Sequence, residues 1–172
     1  WMDSKVKSVP EAKVAVIGGS GLYEIEGLFD VQQVDIETPY GPPSDSIILG
    51  KLDGVPIAFL PRHGRGHRIS PAEIPVRANV YALKTLGVER VISVSAVGSL
   101  REDVHPLDLV IPDQLIDRTK QRPSTFFENG IVAHISFADP FCPDLIDAMT
   151  DSVIQVGARV HKRGTYVVME GP

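Results

Sequence analysis

The sequence Lys13-Val-Ala-Val-Ile-Gly-Gly-Ser-Gly21 decides the fold class, because it joins a short apolar run to a cluster of glycines. An uninterrupted apolar run that ends in glycine is typical of a buried strand, here over 13–18. In the glycine-rich turn that follows, consecutive backbone N–H groups can form a nest for an anion, and Ser20 adds a hydroxyl donor. A plain strand-to-loop turn is the alternative. The pattern matches neither the dinucleotide fingerprint nor a Walker loop.

Strand and helix signals are mixed along the rest of the chain. Asp53-Gly54 separates two apolar runs, at 46–51 and 55–60, and such a pair favours a hairpin. Further strands are predicted at 90–95, 109–112 and 165–169. This mixture predicts an α/β fold with a mixed central β-sheet flanked by helices. We expect one domain over 13–172, preceded by an N-terminal tail over 1–12.

Two helices are predicted from apolar residues at helical spacing. They cover 75–86 and 144–156, and each is followed by a glycine, Gly87 or Gly157, suited to the position after a helix. The residues expected on their buried faces are Val76, Val80, Leu83 and Leu86 in the first helix, and Leu145, Met149, Val153 and Val156 in the second.

The last predicted strand lies only three residues before the end of the sequence, at Glu170-Gly-Pro172. A core strand with an exposed edge invites pairing with another chain. We therefore expect this domain to be incomplete, with its C-terminal part missing.

The composition excludes several classes of protein. The 172 residues are 43% hydrophobic and carry a net charge of −5, which argues against a broad nucleic-acid-binding surface. A single cysteine permits no internal disulfide. No apolar run is long enough to span a bilayer, and 1–10 lack the apolar stretch of a signal peptide. We expect a cytoplasmic protein with no nucleic-acid or membrane partner.

The segment Arg62-His-Gly-Arg-Gly-His-Arg68 holds five basic or imidazole side chains directly after a predicted strand. Strand ends are where open α/β sheets bind ligands, and the planar arginine side chain matches phosphate oxygens. A solvated basic loop is the alternative, and it is the preferred interpretation of Arg68. His63 and His67 also raise the question of a metal, but no Asp, Glu or Cys near them in the sequence completes a ligand set. We expect no metal.

Another loop of small residues, Ser95-Ala-Val-Gly-Ser99, also follows a predicted strand. Its small side chains permit a close approach, and the Ser95 hydroxyl and the Ala96 N–H can donate to an anion. A tight turn packed under the sheet is the alternative. If the three loops converge in space, they form a phosphate site.

These segments together resemble the purine nucleoside phosphorylases, in their methylthioadenosine phosphorylase branch. The matching stretches are Val16-Ile-Gly-Gly-Ser-Gly-Leu22, Thr38-Pro-Tyr-Gly-Pro-Pro-Ser-Asp45, Pro61-Arg-His-Gly-Arg65 with His67, Ala96-Val-Gly-Ser-Leu-Arg101, 113–119 and Glu170-Gly-Pro172. Each stretch is modestly specific, whereas the ordered set covers nearly the whole chain and is highly specific.

The resemblance implies a pentosyltransferase reaction. Phosphate attacks C1′ of 5′-methylthioadenosine, adenine leaves, and 5-methylthioribose 1-phosphate forms, as in purine and methionine salvage. The transition state resembles an oxocarbenium ion, so catalysis depends on placing the phosphate and stabilising the leaving base. No cofactor is implied, because inorganic phosphate is a co-substrate.

The resemblance also assigns residues. The phosphate contacts are Ser20, Arg62, His63, Ser95 and Ala96, where Ser95 stands for a threonine in many relatives. His67 falls near the pocket for the 5′ substituent. His134 matches a histidine that reaches into a neighbouring subunit's pocket, which implies a homotrimer. The alternative is a core or interface histidine with no role in the pocket, whose hydrogen-bonding groups are paired. The purine-contacting carboxylates are expected beyond Pro172, so we expect little or no activity from these 172 residues alone.

Three alternatives remain open. The same fold acts on inosine, guanosine or methylthioinosine if the purine edge selects a 6-oxo group. A non-catalytic phosphate- or nucleotide-binding module belongs to another class, as does an oligomerisation fragment with an exposed sheet edge.

Overall fold

The computed structural model describes residues 11–19, 26–120 and 122–170. They divide into two units between Ala96 and Val97, and each unit is described by itself. No helix within these ranges is long and apolar enough to cross a membrane. The predicted single domain over 13–172 stays a prediction.

A five-stranded sheet forms the first unit, in the order β2-β3-β4-β1-β5. Its strands are β1 (Val14–Gly18), β2 (Leu28–Val34), β3 (Ile47–Leu52), β4 (Val55–Pro61) and β5 (Arg90–Ser93). Strand β1 lies between β4 and β5 and runs parallel to both. Strands β2, β3 and β4 pair antiparallel. The prediction of a mixed sheet is confirmed.

The β3–β4 hairpin forms where Asp53-Gly54 predicted it. Leu52 pairs with Val55 across the turn. Asp53 and Gly54 have φ angles of 48° and 80°, both in the left-handed region that a tight two-residue turn requires. The local twist of this turn matches that of the flanking strands, so two residues suffice to reverse the chain.

Strand β2 was not predicted from the sequence. Most of its seven residues are exposed, so its sequence lacks the apolar alternation that marks a half-buried strand. Its pairing with β3 is interrupted by a register shift between Phe29 and Gln32, where Asp30 has a φ of 51°. Pairing with β3, rather than its own sequence pattern, makes this segment a strand.

A short 3-10 helix (Pro71–Glu73) precedes helix α1 (Val76–Thr85), which packs on the sheet. The predicted glycine after α1 is confirmed at Gly87, whose φ is 80°. The N–H of Gly87 donates to the Lys84 carbonyl and that of Val88 to the Leu83 carbonyl, which satisfies the last turn. The core beneath the helix contains Ala15, Ile47, Leu49, Ala58, Leu60, Ala82, Leu83 and Leu86.

The predicted burial of Leu83 and Leu86 is confirmed, but the rest of the buried face of α1 differs from the prediction. Its buried residues are Ala78, Asn79, Ala82 and Leu83. Val80 is 49% exposed, so its predicted burial is wrong. The helix turns its small residues toward the sheet, because alanines allow a closer approach than valine. A prediction based on the spacing of the larger apolar residues leaves alanine out of the core.

The described residues of the second unit form two parallel strand pairs and one helix. Strand β6 (Leu109–Ile111) pairs with β8 (Val160–Lys162), and β7 (Gln114–Arg118) pairs with β9 (Thr165–Met169). Helix α2 (Pro143–Gln155) contacts β6 and β8. The predicted glycine after α2 is confirmed at Gly157, whose φ is 76°. Strands β7 and β8 were not predicted.

Helix α2 also buries residues other than those predicted. Ile146 and Thr150 are buried. Leu145, Met149 and Val153 are only half-buried. Val156 is 77% exposed, so its predicted burial is wrong. Val156 lies one residue beyond the end of α2, so the helical spacing from which its burial was inferred does not extend to it.

Asp108 links the paired strands β6 and β8. Its carboxylate accepts the backbone N–H of His105 at 3.0 Å and lies 2.8 Å from Nε2 of His161 on β8. Two hydrogen bonds hold the pKa of Asp108 below its ordinary value: the larger effect comes from the His105 backbone, and the smaller one from the His161 side chain.

Candidate active site

Three parallel strands bring their carboxyl ends to one edge of the first sheet. Gly18 at the end of β1 pairs with Pro61 at the end of β4, and Ile17 pairs with Ser93 at the end of β5. The backbone continues this alignment: the Arg62 N–H donates to the Gly18 carbonyl at 3.0 Å. The segments after β1, β4 and β5 therefore start side by side, at the edge where such sheets bind ligands.

Arg62 connects two of these segments through its side chain. Its Nη1 donates to the Val94 carbonyl at 2.6 Å, across the width of β1. Its Nε donates to Nε2 of the adjacent His63 at 3.1 Å. These two bonds hold the half-buried guanidinium beside the segment that carries Ser95. The remaining guanidinium N–H groups are free of any carboxylate among the described residues, which suits them to an anion.

His63 is buried and closes the basic loop on itself. Its Nδ1 lies 2.9 Å from the Ile69 carbonyl, and the Ile69 N–H donates back to the His63 carbonyl at 3.0 Å. Because Nε2 accepts from Arg62, the neutral ring carries its proton on Nδ1 and donates it to Ile69. This pattern fixes the orientation of the ring.

His67 lies against His63 in the same loop. The two rings stack with their centroids 4.3 Å apart and their planes 21° apart. His67 is exposed and has a φ of 56°, in the left-handed region. Its predicted role at a 5′ pocket stays a prediction, while its place beside the Arg62–His63 pair follows from this geometry.

The other predicted site residues fall into three groups. Ser95 and Ala96 are exposed and follow Val94 directly, so they start within reach of Arg62. Ser20 lies outside the described residues. His134 belongs to the second unit and is exposed. The structure therefore brings together Arg62, His63 and the Ser95 segment, and the phosphate contacts themselves stay predictions.

Two participants were missed from the sequence. One is the Val94 carbonyl, for which a backbone group offers no sequence signal. The other is Asp45, whose Oδ2 accepts the Arg65 N–H at 2.6 Å although 20 residues separate the two. Asp45 lies within the matching stretch Thr38–Asp45, and that was the available signal. Asp45 places a carboxylate beside the basic segment 62–68, although the segment's own sequence contains no acidic residue.

The chain belongs to the phosphorylase superfamily, whose family model matches residues 13–172. Among its relatives is an S-methyl-5′-thioadenosine phosphorylase from Geobacter sulfurreducens, 59% identical over 163 residues. That alignment covers 94% of this chain and 57% of the relative. The chain thus spans little more than half the length of the relatives that it matches.

Solved structures agree with this assignment. The structure of a methylthioadenosine phosphorylase from an Antarctic soil metagenomic library superposes with a TM-score of 0.88 at 57% identity, covering 94% of this chain and 57% of that one. A methylthioadenosine phosphorylase from Schistosoma mansoni in complex with adenine has a TM-score of 0.86 at 34% identity, covering 94% and 66%. The fold is therefore that of this family.

Proposed function

We propose that the protein carrying this chain catalyses phosphorolysis of 5′-methylthioadenosine, giving adenine and 5-methylthioribose 1-phosphate. The chain itself supplies the phosphate-binding side of the site, at Arg62, His63, Ser95 and Ala96, with Ser20 as a further donor. The observation that carries the proposal is the Arg62 guanidinium, held on the Val94 carbonyl at the convergent strand ends.

The chemistry agrees with this arrangement. A phosphate dianion needs charge-assisted donors, and Arg62 offers a planar set of them. Holding the phosphate in a fixed place converts a bimolecular attack on C1′ into an effectively unimolecular one. The nucleoside is inferred from the relatives, which at 52–59% identity include several S-methyl-5′-thioadenosine phosphorylases. Such an enzyme serves purine and methionine salvage. Its cytoplasmic location and lack of a cofactor stay predictions.

The choice of base is tested by product release. With the protein at its natural length, we expect phosphate-dependent release of adenine from methylthioadenosine, and at least ~100-fold less hypoxanthine from inosine, because a site that pairs with one purine edge leaves buried polar groups unpaired with the other. Chromatography of the free bases measures both. Preferential release of hypoxanthine would support the 6-oxopurine alternative. Phosphate binding without release of either base would support the non-catalytic module.

A homotrimer is the assembly that we propose. The segment around His134 is rich in exposed apolar side chains: Ile131, Val132, Ile135 and Phe137 are 57–80% exposed. Several large apolar side chains left exposed in one segment favour a protein–protein contact. Such a contact would place His134 at the boundary between subunits.

The assembly is tested by light scattering coupled to gel filtration on the protein at its natural length. We expect a trimer mass, and we expect Ile135→Asp to shift it toward the monomer, because a buried unpaired charge at an interface is costly. Val80→Asp, at a position on α1 that is 49% exposed, is the matched control. A monomeric wild-type protein would rule out the trimer.

A further inference from the structure

Phosphate binding at Arg62 and His63 requires that their loop, 61–70, keep one shape. Its internal contacts are two turns and the His63–Ile69 bonds: the Gly64 N–H donates to the Pro61 carbonyl, and the His67 N–H to the Gly64 carbonyl. These contacts shape the loop. At its start, Arg62 fixes it to the sheet through the Gly18 and Val94 carbonyls. Farther along, Nη2 of Arg65 donates to Oε1 of Gln33 at 3.0 Å, and the segment that precedes β3 supplies a further anchor.

Asp45 provides this anchor. One carboxylate oxygen, Oδ2, accepts the Arg65 N–H at 2.6 Å and lies 3.6 Å from Nη2 of Arg68. The other, Oδ1, accepts the Ser46 N–H at 2.9 Å. The Asp45 side chain is only 11% exposed, so water competes weakly for these hydrogen bonds. Asp45 thus holds the loop at the residue two positions beyond His63.

The segment that carries Asp45 is itself tied to the helix. The Ser44 N–H donates to Oδ1 of Asn79 at 2.8 Å, and Nδ2 of Asn79 donates to Oγ of Ser44, also at 2.8 Å. Both residues are buried, and Asn79 lies on the face of α1 that packs on the sheet. A chain of contacts therefore runs from the core through Asn79, Ser44 and Asp45 to the loop.

Close packing at Gly64 shows that the loop and this segment touch. A Cβ at Gly64 would lie 3.1 Å from the Ser44 carbonyl oxygen and 2.9 Å from Nε of Arg68. Its φ of 68° also lies in the left-handed region that favours glycine. The loop thus packs against the Ser44 backbone, and the adjacent Asp45 holds it through hydrogen bonds.

We propose that Asp45 is a positioning residue for the oxyanion site, holding loop 61–70 so that the Arg62 guanidinium, fixed beside His63, faces the phosphate. The inference rests on the proposed function for its phosphate. Asp45 touches neither Arg62 nor His63 directly; it acts through the Arg65 peptide group. Its own negative charge opposes an anion, so its positional and electrostatic effects have opposite signs.

This opposition makes the test sharp. Asp45→Asn removes the charge and one strong acceptor, whereas Asp45→Glu keeps the charge and displaces the carboxylate by one methylene. If Asp45 positions the loop, we expect both variants to lower phosphate affinity, by about tenfold for loss of a charge-assisted hydrogen bond. If it acts only as a charge, Asp45→Asn raises the affinity and Asp45→Glu leaves it unchanged, which would overturn the proposal.

The measurement is isothermal titration calorimetry with inorganic phosphate, on the protein at its natural length. Asp53→Asn, an equal change of charge in the remote β3–β4 turn, is the matched control and should bind like wild type. In turnover assays, the Asp45 variants should raise KM for phosphate and leave KM for the nucleoside unchanged. A purely structural defect would move both constants.

A second measurement separates this inference from the proposed function. In ligand-free protein, Asp45→Asn should speed amide hydrogen exchange at 64–69 while the exchange of β4 and α1 stays at the wild-type rate. Unaltered exchange in the loop would overturn the positioning role, whatever the phosphate data show. If the wild-type protein binds no phosphate, the proposed function is wrong. The exchange result alone would then decide whether Asp45 holds the loop.

Discussion

Replacement of Arg62 by alanine is expected to lower phosphate affinity by roughly 100-fold, about 3 kcal/mol, since two charge-assisted hydrogen bonds to the anion are lost. The guanidinium bridges the ends of β4 and β5 through the Val94 carbonyl, so no neighbouring side chain takes over its position. The dissociation constant for phosphate, from calorimetry on the protein at its natural length, is the readout.

Two variants test the cause of this loss. Arg62→Lys keeps a positive charge but not the planar fork, so it should recover only part of the affinity. Arg90→Ala removes an exposed arginine at the opposite end of β5 and should leave phosphate binding intact. Equal affinity in wild type and Arg62→Ala would contradict the site. A similar loss in Arg90→Ala would point to a general effect of net charge.

The second large effect is on stability. Leu83→Ala should lower the free energy of unfolding by about 2–5 kcal/mol, because it removes a fully buried side chain and leaves a cavity. Leu83 is 1% exposed, in the core between α1 and the sheet. Chemical denaturation followed by circular dichroism measures the change.

Val80→Ala on the same helix is the matched control. Val80 is 49% exposed, so this substitution should alter stability by no more than about 0.5 kcal/mol. Sequence spacing alone predicts burial of both residues and therefore a clear cost at both. Comparable losses in the two variants would mean that the helix packs as the sequence suggested and not as the structure has it.

The candidate site was predictable in part, for a reason that its residues make plain. Arg62 and His63 follow a strand and belong to a segment with an unusual density of basic and imidazole groups, so local sequence marks them. Their hydrogen-bond partners do not stand out in this way. The Val94 carbonyl is 32 residues away and is a backbone atom like any other. Asp45 reaches the loop from a different strand connection, and its only sequence signal is its place in the family-matching stretch Thr38–Asp45.

By itself, the sequence determined the features that depend on a few neighbouring residues. The apolar run of β1, the Asp53-Gly54 turn and the glycines after both helices follow from backbone sterics, which act over short distances along the chain. Tertiary structure alone decided that Ala78 and Ala82, rather than Val80, are buried on α1, since the closeness of the sheet favours alanine over valine there. It also decided that the ends of β4 and β5 lie on either side of β1, because strand order is set by pairing between distant segments. That order places the Arg62 guanidinium against the Val94 carbonyl.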